Sequence, residues 1–194
     1  YEYWINVDPN VYILDKVKRS TLTDANGSIF SDVRFTYDGA YANPTIGDLT
    51  QVQTLTGIGS QTVDIGYSYD VYGNATEVRA YEDFGSVGTT SSGLYQAAQT
   101  TYDASIHTYP VTVTNDLDQS ASTSDLFTLG LPYQVTDPNS WVTSYSYDGL
   151  GRVLSSTAPG FSQPTVQYTY PAPDGSGSVS APYAMQMQIL DSMP

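Results

Sequence analysis

TDPNSWVTSYSYDGLGRVLSSTAPG, residues 136 to 160, reads as two strands around one tight turn. On the way in, Trp141, Thr143, Tyr145 and Tyr147 share one parity, with Val142, Ser144 and Ser146 on the other. That is the period-2 pattern of a strand. Asp148-Gly149-Leu150-Gly151 breaks it. An aspartate at the first turn position accepts a backbone N–H two residues on, and glycine takes positive φ at little cost. Arg152 to Ser156 leads back out, and Thr157-Ala158-Pro159-Gly160 turns again. One such hairpin buries too little surface to offset its ordering entropy, so it is expected as one rung among many.

Further rungs are present. The turn Thr23-Asp24-Ala25-Asn26-Gly27 precedes Ile29, Ser31, Val33, Phe35 and Tyr37 at alternate positions, ending in Tyr37-Asp38-Gly39. Val63, Ile65, Tyr67 and Tyr69 repeat the parity into Tyr69-Asp70-Val71-Tyr72-Gly73-Asn74, and Tyr102-Asp103 and Tyr147-Asp148 follow. The intervals are 32, 33 and 45 residues (37 to 69, 69 to 102, 102 to 147). Within the longest, Leu129-Gly130-Leu131-Pro132 with Val135-Thr136-Asp137 marks a degenerate copy. A recurring unit that cannot bury its own face is the mark of a repeat architecture.

The strings YDGLGRV (147–153), YDVYGN (69–74) and VTDPN (135–139) resemble the YD repeats of Rhs-type proteins. TTYDASIHTYPVTVTN (100–115) with GLPYQVTDPN (130–139) is most similar to the large secreted members related to insecticidal toxin-complex proteins. The resemblance runs from about Leu22 to Tyr170. It implies a β-hairpin ribbon that spirals into a hollow shell, in many members around a toxin or another C-terminal domain. It also implies a repeat motif carried here by Tyr37, Asp38, Gly39, Tyr69, Asp70, Gly73, Asn74, Tyr102, Asp103, Tyr147, Asp148, Gly151 and Arg152. The chain departs from the pattern in places. Only Tyr147 is followed by the full Gly-Arg ending, Tyr102-Asp103 lacks the glycine, and the aspartate-rich self-cleaving segment of many family shells is not visible.

Composition narrows the function classes. The 194 residues suffice for one large or two small domains with a real core. A net charge of −14, from 20 acidic and 6 basic residues, argues against nucleic acid and anionic membranes. No apolar run approaches the ~20 residues of a membrane helix. With no cysteine, disulfides and thiol catalysis are excluded. Eighteen tyrosines against five phenylalanines suit strand surfaces that are apolar along the ring and polar at its tip. The chain starts at Tyr1, carries no signal peptide and stops in mid-pattern, so it is read as a piece of a larger or processed protein.

Taken in order, strands are expected over 11–17, 48–55, 63–69, 76–81, 94–102, 110–115 and 164–170, with Asn26-Gly27 as a hairpin turn. Tyr41 to Leu49 is a loop or a crossing between rungs. Phe84 to Gly93 (FGSVGTTSSG) is the candidate mobile loop, and Asp116 to Asp125 a second loop. The cluster Lys16-Val17-Lys18-Arg19 reads as a solvated strand face. Residues 1–170 form the hairpin array, and 171–194 a linker-like turn (Pro171 to Gly177) with a terminal strand (Tyr183 to Leu190) that continues it. No segment carries helical periodicity.

Catalytic chemistry is thinly represented. His107 is the only histidine, no Gly-x-Ser-x-Gly elbow accompanies it, and it reads as a turn residue before Tyr109-Pro110. The aspartates sit where turns want them. Asp116-Leu117-Asp118 begins like a calcium loop but lacks the central glycine and closing glutamate. Trp141, Tyr145, Tyr67 and Tyr69 either pack across strands or form a platform for sugar rings.

The expectation is therefore an all-β, antiparallel protein of stacked hairpins, forming a spiral YD-repeat ribbon or shell segment. It is expected to be a secreted or cell-surface scaffold that encloses or displays another domain, with no enzymatic activity, cofactor or metal. The alternative is a carbohydrate-binding or adhesive module using exposed aromatic rows. Expected partners are the rest of the polypeptide or neighbouring copies through strand edges, with an enclosed toxin or a surface glycan beyond them. Tyr37, Tyr69 and Tyr147, each two residues after Phe35, Tyr67 or Tyr145, are expected to align as an aromatic ladder.

Overall fold

A computed structural model describes residues 1–170 and 186–190. They hold fifteen strands: β1 (Glu2–Asn6), β2 (Ile13–Thr23), β3 (Ile29–Tyr37), β4 (Leu49–Leu55), β5 (Gln61–Tyr69), β6 (Ala75–Tyr81), β7 (Gly85–Ser86), β8 (Tyr95–Tyr102), β9 (Pro110–Asn115), β10 (Ser120–Leu126), β11 (Leu131–Thr136), β12 (Val142–Tyr147), β13 (Val153–Thr157), β14 (Val166–Thr169) and β15 (Gln186–Ile189). There is no helix among the described residues, and so none long and apolar enough to cross a membrane. The chain divides into two compact units, residues 1–101 with 114–118 and residues 102–113 with 119–194. In the first, β1 to β6 pair in chain order, β8 joins β6, and the short β7 pairs with β5. In the second, β10 to β15 pair in chain order. All these pairs are antiparallel, so each unit is a ribbon of hairpins, the fold class expected from the alternating pattern.

Three expectations are corrected. Asp116 to Asp125 is not one loop: its second half is β10, whose Ser122, Thr123 and Ser124 pair with Thr136, Val135 and Gln134. A run of small hydroxyl side chains looks like a loop by composition, but ladder pairing supplies the order that side-chain burial does not. The Lys16–Arg19 run is not simply solvated. Lys18 lies over the rings of Trp4 (4.6 Å) and Tyr41 (5.7 Å), and Lys16 over Tyr37 (5.8 Å). Arg19 forks onto both carboxylate oxygens of Asp32 at 2.8 Å and reaches Glu2 at 3.2 Å. The segment FGSVGTTSSG folds back over β4 and β5 and is hydrogen-bonded there. The expected linker 171–177 and the residues Tyr183 to Met185 lie outside the described residues; the end of that tail is β15.

The first unit is packed by two covering loops. Residues 39–48 lie on β1 and β2: Trp4 meets Tyr41 edge-on at 5.0 Å, Asn6 Nδ2 donates to the Pro44 carbonyl at 2.9 Å, and Trp4 Nε1 donates to the Phe35 carbonyl at 3.1 Å. Trp4 and Tyr37 are buried here. The second loop, residues 84–93, covers the opposite side of β4 and β5. There the alternation is inverted. Gln51, Gln53, Thr62 and Asp64 are buried, while Val63 (48% exposed) and Ile65 (38%) face outward.

Paired residues share a face, so the register extends this outward side across the sheet. Phe35 opposes Val52, Val52 opposes Ile65, Ile65 opposes Ala80, and Tyr67 opposes Val78. The outward face of the middle strands is therefore the aliphatic one, and the covered face is the polar one.

Candidate functional site

The motif residues occupy four separate turns and do not converge on one centre. What they share is an aspartate that ties its own turn. In the Asp148 turn, Oδ1 accepts the amides of Leu150 and Arg152, both at 2.9 Å. Asp148 N donates to the Arg152 carbonyl, Gly151 N donates to the Asp148 carbonyl, both at 3.0 Å, and Gly151 sits at φ 78°. The Asp70 turn repeats this. Tyr72 and Asn74 donate to Oδ1 at 2.9 Å, and Gly73 holds φ 85°. These are type I turns closed by a left-handed residue, the geometry of three-residue hairpin loops.

The fifth position of each turn closes back on the aspartate's other oxygen. Arg152 Nε donates to Asp148 Oδ2 at 2.6 Å, and Asn74 Nδ2 donates to Asp70 Oδ2 at 3.0 Å. The Gly-Arg and Gly-Asn endings are thus two solutions to one requirement. Arg152 also lies over the Tyr170 ring at 4.4 Å. The amide and guanidinium donors of Arg152 hold the Asp148 carboxyl below its ordinary range.

Tyr37-Asp38 and Tyr102-Asp103 do something else. Asp38 Oδ2 accepts the amides of Thr45 (2.6 Å) and Ile46 (2.9 Å), and its Oδ1 those of Gly47 and Asp48 (2.9 Å each). One carboxylate thereby organises the covering loop 39–48. Asp38 itself adopts φ 55°, and Gly39 donates its amide to Thr50 Oγ1 at 2.9 Å. Asp103 gathers five amides, from Ser105, Ile106 and His107 on Oδ1 and from Thr108 and Tyr109 on Oδ2. That explains the missing glycine, because Asp103 wraps a longer loop in which the residue at φ 53° is His107. At both aspartates burial works to raise the carboxyl, but the converging amides outweigh it and hold the group below its ordinary value.

The tyrosines are anchored rather than open. Tyr69 Oη donates to the Leu49 carbonyl at 2.9 Å and Tyr147 Oη to the Pro132 carbonyl at 2.7 Å, in each case on the preceding strand. Tyr37 is buried, and burial raises the hydroxyl of all three. Tyr69 and Tyr147 thus share a tyrosine-to-backbone tether. Ring pairs occur elsewhere, as Tyr81–Tyr95 (5.6 Å) and Tyr109–Phe127 (5.7 Å). Trp141, of the expected aromatic row, is 55% exposed.

Three further turns of the Asp148 kind escape a search for Tyr-Asp. Asp24 accepts Asn26 and Ser28 at 2.9 and 2.7 Å, with Gly27 at φ 86°, so the hairpin turns on Asp24–Ser28 rather than on Asn26-Gly27 alone. Asp137 accepts Asn139 and Trp141 at 2.8 and 2.9 Å, with Ser140 at φ 65° in the glycine's place. Asn115 accepts Leu117 at 3.0 Å, and Asp118 takes the left-handed position at φ 57°. The available signal is Asp or Asn followed three residues later by Gly, Ser or Asp. In the calcium-like run, Asp116 Oδ2 instead accepts the Ala97 amide at 2.6 Å.

The register carries a second shared feature. Across β12–β13, Ser146 opposes Ser155 but Tyr147 opposes Val153, which leaves Leu154 unpaired. Across β5–β6 the skipped residue is Thr76, and across β2–β3 it is Phe30. Each lies at the same offset from its turn aspartate: 24 to 30, 70 to 76, 148 to 154. The repeat is therefore a physical unit of aspartate-tied turn plus bulge, and a bulge adds local twist to the hairpin.

No curated protein matches the chain. The family model described as RHS Repeat matches residues 129–160, which contain β11 to β13 and both the Asp137 and Asp148 turns. Residues 129–160 thus match an RHS repeat, and the match supports a YD/RHS-repeat protein.

Proposed function

We propose that this chain is a structural segment of a secreted or cell-surface YD-repeat protein, forming part of a shell or scaffold that encloses or displays another domain, and that it performs no catalysis of its own. The observation that carries this reading is the inverted sheet of the first unit. Val63, Ile65 and Val78 lie on one face at 38–48% exposed, while the opposite face buries Gln53, Thr62 and Asp64. An isolated antiparallel sheet covers its apolar face and wets its polar one. A contiguous aliphatic surface calls for an occupant, here another part of the same polypeptide or an enclosed domain. The resemblance of the repeats to those of secreted toxin-complex-like proteins supports an interior surface and an extracellular setting.

The absence of cysteine gives a direct test. Ile65→Cys places a unique thiol on the aliphatic face, and Leu150→Cys places one on a turn that is 73% exposed. In the complete native protein, maleimide should label the Leu150→Cys variant rapidly and the Ile65→Cys variant only after denaturation. Equal labelling rates in the native protein would refute the reading.

A further inference from the structure

Three asparagines are followed two residues on by serine or threonine, in Asn26-Gly27-Ser28, Asn43-Pro44-Thr45 and Asn74-Ala75-Thr76. That spacing is the acceptor pattern of N-linked glycosylation, provided the middle residue is not proline. Pro44 therefore removes the second. The other two both lie in aspartate-tied turns, but at different places in them.

Asn74 stands at the fifth position of the Asp70 turn. Its backbone amide donates to Asp70 Oδ1 at 2.9 Å, and its Nδ2, the atom a glycan would take, donates to Asp70 Oδ2 at 3.0 Å. A sugar on that nitrogen would stand against Asp70 and open the clasp that closes the turn. Asn26 stands at the third position of the Asp24 turn, where its backbone amide donates to Asp24 Oδ1 at 2.9 Å. Its side chain is exposed, and its Nδ2 makes no hydrogen bond among the described residues. The third position is the outward one of this turn: its equivalents Tyr72 and Leu150 are 59% and 73% exposed.

The rest of the acceptor pattern is equally open. Ser28 holds the fifth position, where Asn74 and Arg152 clasp the second oxygen of their aspartates, yet it engages Asp24 only through its backbone amide, at 2.7 Å from Oδ1. The Ser28 hydroxyl is exposed and unbonded among the described residues. Asp24, two residues before the acceptor, likewise keeps Oδ2 unbonded there, whereas the same place before Asn74 is Tyr72. A transferase that also reads an acidic side chain at that place would accept Asn26 alone. The strands joined by this turn end in apolar side chains, with Leu22, Ile29 and Phe30 at 63%, 54% and 73% exposed. A bulky, hydrated glycan on the turn would shield them from self-association.

We propose that Asn26 is a site of N-linked glycosylation and that Asn74 is not. In the transfer, Asn26 Nδ2 bonds to C1 of a lipid-diphosphate oligosaccharide. The C1–O bond to the diphosphate breaks, the lipid diphosphate leaves with the electron pair, and one amide proton passes to a base of the oligosaccharyltransferase. The site rests on the extracellular setting proposed above, since the chain must leave the cytoplasm to meet that donor.

The test is mass spectrometry of the complete protein from its native source, with secreted and cell-confined material analysed separately. Cleavage after Arg19, Arg34 and Arg79 puts Asn26 in peptide 20–34 and Asn74 in peptide 35–79. Peptide 20–34 should carry a glycan that electron-transfer fragmentation locates on Asn26, and peptide 35–79 should carry none. Asn26→Gln and Ser28→Ala should each abolish the modification, while Ser28→Thr and Asn74→Gln should retain it. Secreted protein that is bare at Asn26 overturns the site and leaves the setting standing. Protein confined to the cell and bare at Asn26 overturns both. A glycan on Asn74, or one on peptide 20–34 that survives Asn26→Gln, also overturns the proposal.

Discussion

Ser140 is the residue at which the turn rule makes its sharpest demand. It holds φ 65°, in the position where Gly27, Gly73 and Gly151 stand at 86°, 85° and 78° in the equivalent turns. The left-handed region costs an L-residue roughly 1–2 kcal/mol, because Cβ crowds the following carbonyl. Glycine avoids that cost but loses roughly 0.5–1 kcal/mol more chain entropy on folding. The difference predicts that Ser140→Gly stabilises the second unit by about 0.5–1 kcal/mol. The reverse exchange, Gly151→Ser, should destabilise by about 1 kcal/mol or more, because the new Cβ is strained and also meets Leu131 Cδ1 at 3.2 Å. Urea melts followed by fluorescence in a Trp4→Phe background, where Trp141 is the sole tryptophan, report directly on this region. The midpoints should move in opposite directions for the two variants, with the slope m unchanged. If Ser140→Gly proves neutral or destabilising at constant m, the two turns are not equivalent and the repeat unit defined here is wrong.

Gly85→Ala should destabilise the first unit by about 1–3 kcal/mol, because its Cβ would overlap Asp64 Oδ2 and fall 2.8 Å from Thr62 Oγ1 in a buried network. Hydrogen exchange at Gly88, whose amide donates to Gln53 Oε1 at 2.9 Å, should quicken with it; unchanged exchange would mean that the loop is not held by that network. The stability of the whole chain should plateau around neutral pH and fall at both ends. Asp32, Asp38, Asp103 and Asp148 all have folded carboxyls below the unfolded value of about 3.9, so their contribution is present above that pH and is lost as pH falls through the folded values. Tyr37, Tyr69 and Tyr147 are raised above about 10, so their contribution is present below that pH and declines as pH rises past it. A melting temperature that climbed steadily from pH 6 down to pH 3 would contradict the carboxylate assignment.

Much of the fold is legible in the sequence because strand alternation and turn chemistry act locally. Pro110 to Asn115 is a strand as read, and β4, β5, β6 and β8 begin within two residues of the expected starts. What was not legible depended on distant partners. Nothing local distinguishes a serine-rich strand such as β10 from a loop until Leu131–Thr136 pairs with it. FGSVGTTSSG looks unstructured because its tethers, Gln53 and Asp64, lie more than twenty residues earlier. The emphasis on tyrosine also hid the commoner unit. Asp24, Asn115 and Asp137 build the same turn as Asp148 behind Thr23, Thr114 and Thr136, so the aspartate or asparagine makes the turn and the tyrosine adds a tether.

That separation of roles bears on how such a chain tolerates drift. The turn needs one acceptor side chain and one residue able to enter the left-handed region, conditions that Asp-x-x-Gly, Asp-x-x-Ser and Asn-x-x-Asp all meet. The bulge needs only a skipped pairing, and Phe30, Thr76 and Leu154 fill it with unrelated side chains. Face polarity is then set independently of the turns. A hairpin keeps its register whether its outward residues are aliphatic, as in β5, or hydroxylic, as Ser144 and Ser146 are in β12. A sheet built this way can vary what its faces present without altering the geometry that holds its strands together. Buried Asp64 marks the cost of that freedom: in the first unit a covering loop and two glutamines bury the polar face, while Val63, Ile65 and Val78 on the other face stay partly exposed.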